Sequence, residues 1–185
     1  MKRSKHIKKS LCGLIFIALL IFTGNALAWQ TVRVAVYKSP DFVRIKGKAI
    51  KIGVITKDGV NGEVVGVNPK EVVISLKNKY LYIKGVSSRF TAVTVTCPGK
   101  LLRINGVRYH APLEIVSDTR NGGHIVVVSE INLESYLMGV VSSEVPTSWP
   151  IEALKAQSVA ARTFAVRQML DSQSKFYHLE STVSD

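Results

Sequence analysis

From Thr31 to about Ile131 apolar residues recur at every second position, the period of a strand with one buried face. Val32, Val34 and Val36 alternate in "TVRVAVY", and Ile50, Ile52 and Val54 do so in "KAIKIGVIT". "EVVISL", "KYLYIKGV", "TAVTVTC", "LLRI" and "HIVVVSEI" are further β-branched or aromatic runs. Turn signals divide them: Asp58-Gly59, Asn61-Gly62, Asn78, Pro98-Gly99, Asn105-Gly106 and Asn121-Gly122-Gly123. Asn105-Gly106 is the strongest hairpin signal and joins "LLRI" to "VRYHAPLEI". Many short strands at close spacing predict a sandwich or a partly open barrel.

The period changes at Asn132. Leu133, Tyr136, Leu137, Val140 and Val141 stand at helical spacing, and Asn132 is suited to cap them. "PTSW" breaks that helix. Pro150 fits the first position of a second one, where a missing N–H costs nothing, and this helix runs to about Ser172. Ala153, Ala156, Ala160, Ala161 and Ala165 favour it and leave room for close approach of another element. Strands followed by helices give an α+β fold class: a β-rich region over 29–131, then a two-helix segment over 132–185.

The first residues stand apart. "MKRSKHIKKS" is basic, "LCGLIFIALLIF" is apolar and "TGNALA" ends in small residues, the pattern of a secretory signal over 1–28 cut after Ala28. Leu11 to Phe22 is short for a membrane span, so membrane contact is expected only through this segment if it stays uncut. The expected location is outside the cytoplasm: cell wall, periplasm or extracellular space. The chain has 25 basic and 13 acidic residues; five of the basic ones lie in the leader, which leaves twenty against 13, or +7. That charge suits an anionic surface such as a wall or membrane. The lysines lie along strands without an aromatic recognition motif, so no nucleic-acid partner is expected. Cys97 alone remains beyond the leader, which excludes an internal disulfide and metal-spaced pairs; a buried strand cysteine is the ordinary role. No cofactor is implied.

Candidate chemistry centres on Glu144 in "SSEVPTSWPIEALKAQSVAARTFAV". By residues alone it is either a solvated acid between two helices or an acid presented to a cleft. Val145, Pro146 and Trp149 could limit its solvation and keep it protonated. Arg162 and Lys155 lie on the following helix, where Gln157 and Thr163 interrupt an apolar pattern and call for partners. Glu134 and Glu152 fall in first turns, where the helix dipole is sufficient explanation.

"LESYLMGVVSSEVPTSWPIEALKAQSVAARTFA" resembles the signature of the SpoIID/LytB family, the stage II sporulation protein D and amidase-enhancer proteins. "VRVAV" and "INGVRYHAPLEI" resemble its β-rich portion more weakly, and His110-Ala111 stands where the family has arginine-glycine. The resemblance implies a bacterial cell-wall role. Some members are lytic transglycosylases of peptide-stripped glycan strands; others enhance a wall amidase. It implies that Glu144 is the catalytic acid and that Arg162, and more weakly Lys155, contacts substrate or orients a carboxylate. Tyr177 and His178 would line the cleft.

One carboxylate suffices for this chemistry. Ordinary glycosidases use two, whereas a lytic transglycosylase lets one residue alternate as acid and base. Family members carry a histidine in the "FYHLESTVSD" region, and some add cysteines for zinc; here Ser184 stands six residues after His178, so no metal site is expected and His178 reads as a structural histidine. The family domain continues past the equivalent of Asp185. An incomplete, truncated domain is therefore expected, with exposed apolar surface on the second helix. The expected function is glycan-strand cleavage giving 1,6-anhydromuramic ends. The alternative is a non-catalytic peptidoglycan-binding enhancer of a cell-wall amidase.

Overall fold

The computed structural model describes residues 31–56, 59–64, 68–120, 123–172 and 176–181, all within one unit, Thr31–Asp185. The leader read over 1–28, the Asp58 and Asn121-Gly122 turn signals and Ser184 lie outside the described residues.

Among the described residues thirteen strands form two sheets: β1 Thr31–Ser39, β2 Phe42–Lys46, β3 Lys51–Thr56, β4 Gly59–Glu63, β5 Glu71–Lys77, β6 Tyr80–Ile83, β7 Arg89–Phe90, β8 Ala92–Thr96, β9 Leu101–Ile104, β10 Val107–His110, β11 Leu113–Asp118, β12 His124–Asn132 and β13 Leu179–Glu180. The seven-stranded sheet runs β13-β1-β12-β11-β8-β3-β4 and the six-stranded sheet β10-β9-β2-β5-β6-β7. Among the described residues every pairing is antiparallel except β1 with β13. Val43, Ile45, Ile74, Leu81, Leu102 and Ile104 from the smaller sheet meet Ile52, Val93, Val95, Leu113, Ile115, Ile125 and Val127 from the larger one, forming the main core. The mixed strands-then-helices order is α+β, with the strands in a two-sheet arrangement.

Turn chemistry sets the registers. Asn105 and Gly106 have φ of 49° and 85°, and Ile104 opposes Val107 across them. Asn78 and Lys79 turn the β5–β6 hairpin with φ of 49° and 70°. These are two-residue turns with φ positive at both positions, whose twist matches that of the strands. Asn61-Gly62 is not a turn. It lies inside β4, where Gly62, at φ 74°, is the extra residue opposite Gly53 and Val54, a bulge that glycine alone forms without strain.

"VRYHAPLEI" is two strands: β10 belongs to the smaller sheet, and after the cis Ala111–Pro112 peptide β11 joins the larger one. The sequence reading passed over β2. Its signal is Val43 and Ile45, both buried, alternating with exposed Phe42, Arg44 and Lys46. Cys97, just past β8, is buried, and its thiol donates to the Leu101 carbonyl at 3.4 Å.

Two helices follow β12: α1, Leu133–Glu144, and α2, Ile151–Asp171. The Asn132 side chain accepts from the backbone N–H of Glu134 and Ser135 at 3.0 and 3.3 Å, capping α1 as expected. Pro150 is the N-cap of α2 rather than its first helical residue, and Ser172 closes that helix. Leu133 and Leu137 of α1 and Ala165 of α2 pack on Val32 and Val34 of β1 and on Leu179 of β13. Burying each leucine contributes roughly 1.5–3 kcal/mol. Ala165 is fully buried, and a larger side chain there would hold α2 away from that floor. Ile151, Val159, Phe164 and Leu170 of α2 are 58–77% exposed, so apolar surface on the second helix is present as expected.

Candidate functional site

Glu144 is the last residue of α1, one position short of the inter-helix turn where sequence placed it. The Val145 N–H still bonds the Val141 carbonyl at 3.2 Å, which fixes the backbone beneath the acid. The expected apolar shield is open: Glu144, Pro146 and Trp149 are exposed and Val145 is half-buried. One partner holds the carboxylate. The Gln157 side-chain amide donates from Nε2 to Glu144 Oε2 at 2.7 Å, bridging α1 and α2. Gln157 is half-buried, one turn before Ala161 and two before Ala165 in the row that packs on the sheet.

Tyr136 lies on the same helix two turns before Glu144, about 12 Å along its axis. Its phenol is pushed above its ordinary value, first by burial and then by the negative charge of Glu144. Tyr136, Val140 and Glu144 stand four residues apart along one ridge of α1.

The other candidates are placed elsewhere. Arg162 is engaged by Glu134, with Nε to Oε1 at 3.2 Å and Nη2 to Oε2 at 2.6 Å, a two-pronged pair between the helices. Glu134 and Glu144 are ten residues apart, about 15 Å along the helix axis. Arg162 therefore orients a carboxylate, but at the opposite end of α1 from Glu144. Its pair with Glu134 rims a groove of about 260 Å³ between the helices, with Leu137, Met138, Ser142 and Leu154 among the walls. Neither Glu144 nor Gln157 lines that groove. Lys155 binds Glu152 one turn back at 2.8 Å, both side chains in solvent.

Tyr177 and His178 anchor the segment after α2 to β1. The His178 N–H donates to the Arg33 carbonyl at 2.7 Å, and His178 Nδ1 accepts from the Arg33 N–H at 3.1 Å. Burial, followed by the Arg33 charge, pushes this imidazole below its ordinary value. Arg33 itself is held by Glu114 at 2.6 Å and by the Phe176 carbonyl at 2.7 Å. The Tyr177 ring covers Ala35, Val126 and Val128, on the face of β1 and β12 opposite Val34 and Val127. Its hydroxyl donates to Glu180 at 2.8 Å, and Lys38, bonded to both, draws the Glu180 carboxyl below the usual range. The structure thus brings Glu144 and Gln157 together and leaves Arg162, Lys155, Tyr177 and His178 in three other settings.

Comparison with known proteins concerns this same part of the chain. Residues 121–185 match the family model SpoIID, stage II sporulation protein. Over 47 residues, a quarter of this chain, identity to stage II sporulation protein D of Bacillus subtilis (strain 168) is 53%, covering 14% of that protein. The amidase enhancer of the same organism is 60% identical over 30 residues, 16% of this chain and 4% of the relative. An uncharacterized protein of Brachyspira hyodysenteriae (strain ATCC 49526 / WA1) is 42% identical over 74 residues, 39% of this chain and 19% of its own. Each match spans less than a fifth of the relative's length. No solved structure matches the chain. The resemblance drawn from Leu133 to Ala165 stands.

Proposed function

We propose, on the premise that residues 121–185 carry SpoIID/LytB family sequence, that the chain is exported and acts on the bacterial cell wall, as a lytic transglycosylase of peptide-stripped glycan strands with Glu144 as its acid and base. The observation that carries this reading is the bond from Gln157 Nε2 to Glu144 Oε2. It fixes one carboxylate oxygen, Oε2, of an exposed acid, and the proposal assigns the proton transfers to the other, Oε1.

In the first step protonated Oε1 gives its proton to the glycosidic oxygen, the bond from that oxygen to muramic C1 breaks, and positive charge develops at C1. The carboxylate then takes the proton of the muramic C6 hydroxyl, whose oxygen bonds C1 and closes the 1,6-anhydro ring. The proton returns to Oε1, so one acid completes the cycle without a second carboxylate or a hydrolytic water. Gln157 holds the carboxylate plane through both steps.

The test is mass spectrometry of peptide-stripped strands incubated with the protein and with Glu144→Gln. Anhydro-ended fragments that disappear in the variant are expected. A second reading is a non-catalytic enhancer of a wall amidase, favoured by the likeness to a relative of that name. In that case no fragments form, and amidase stimulation survives Glu144→Gln.

A further inference from the structure

We propose that the outer face of the six-stranded sheet is a second binding surface, separate from Glu144, for a linear polyol-phosphate polymer. The pleat that sends Val43, Ile45, Leu102 and Ile104 into the core sends Arg44, Lys46 and Arg103 outward. The ladder then lines cations up across strands. Lys46 of β2 opposes Arg103 of β9, and Arg103 opposes Arg108 of β10. Three positive charges therefore stand on three neighbouring strands, about 5 Å apart from strand to strand.

Like charges placed opposite one another destabilise a sheet, so this row is costly to the fold and invites an anion. Its internal compensation is small. Glu71 lies 3.6 Å from Arg44 and 3.8 Å from Lys46, with both cations more than half exposed. Among the described residues no carboxylate pairs with Arg103 or Arg108. Arg44, Lys46, Arg103, Asn105 and Gly106 surround a depression of about 330 Å³, large enough to seat a phosphate group.

The spacing selects the ligand. A guanidinium takes two oxygens of one phosphate in parallel, and a polymer with one anion per short repeat can occupy adjacent seats along the row. A glycan strand with a carboxylate on every second sugar engages fewer of them. Single-stranded nucleic acid would add stacking to the same cations, because Phe42 is exposed on the face that carries Arg44 and Lys46, so it is the competitor the test must include.

The experiment measures binding of fluorescently labelled poly(glycerol phosphate) between about 50 and 200 mM salt. Arg103→Gln/Arg108→Gln is compared with Lys51→Gln/Arg167→Gln, which removes equal charge elsewhere, and melting curves verify that both variants fold. The expected result is salt-weakened binding whose slope of log affinity against log salt falls by about one to two in the sheet variant and not in the other. Absence of binding, or equal weakening in both variants, overturns the proposal. So does tighter binding of phosphatidylglycerol vesicles, peptide-stripped glycan strands or oligothymidine at equal anion concentration.

Discussion

Gln157 donates its side-chain amide to Glu144 at 2.7 Å, so the last residue of α1 is held by the core-facing row of α2. Both helices thus position one acid. A hydrogen bond to a charged group is worth about 1.5–3 kcal/mol, which corresponds to roughly a tenfold to hundredfold change in rate if it acts on the transition state. Gln157→Ala should lower the rate of anhydro-end formation by at least about tenfold, while the melting temperature stays within a few degrees because the bond is solvent-exposed. Product mass spectrometry beside a thermal melt checks both halves, and unchanged turnover would remove Gln157 from the mechanism.

Arg162 offers the opposite expectation. Its guanidinium is committed to Glu134, with both side chains at least 40% exposed. A double-mutant cycle with Glu134→Ala and Arg162→Ala should give a coupling below about 1 kcal/mol that shrinks with added salt. A rise in KM for glycan strands in Arg162→Ala with no change in Glu134→Ala would show instead that the arginine meets substrate.

The floor under α2 is tight. Ala165 is completely buried among Leu133, Leu137, Val32 and Val34. Ala165→Leu should destabilise the fold by about 1–3 kcal/mol through overpacking, read as a lower urea midpoint at constant slope. The exposed neighbour Ala160 supplies the control, where the same substitution should change stability by less than about 0.5 kcal/mol.

His178 sets a pH dependence. The folded chain depresses its proton affinity below the ordinary 6.5 through burial and the Arg33 charge, and neutral Nδ1 is the acceptor for the Arg33 N–H. The unfolded chain binds the proton more readily, so stability is fully present above about pH 6.5 and declines as pH falls through the folded value. Urea titrations at pH 7.5 and 5.5 should show this loss, and His178→Gln should flatten it. A profile unchanged by the substitution would assign the pH dependence to other groups.

The fold was legible where pattern and turn chemistry agreed. Alternating valines, Asn105-Gly106 and the Asn132 cap all led to the elements observed, because each is a local device. β2 escaped because it is five residues long and carries only two inward side chains. Asn61-Gly62 misled because one dipeptide serves both a turn and a bulge, and only the pairing with β3 decides between them. Glu144 stood out as the candidate acid because its turn, its helices and its family likeness converge on it. That Arg162 would meet Glu134 instead was beyond reach: the angle at which two helices cross depends on Ala161, Ala165 and the floor of β1, residues distant in sequence.

Asn132 is at once the final residue of β12, paired with Thr31, and the cap of α1. The joint between sheet and helix has zero length. A hinge needs residues free to change their dihedrals, and here any swing of α1 would break a ladder pair and two capping bonds together. α1 therefore moves with the larger sheet as a rigid lever, with Glu144 at its tip. On the proposed reading, adjustment around a bound strand falls to the 145–150 turn, since α2 is tied to α1 and to the sheet floor, so substitutions in that turn should alter substrate capture while leaving the height of the acid above the sheet unchanged.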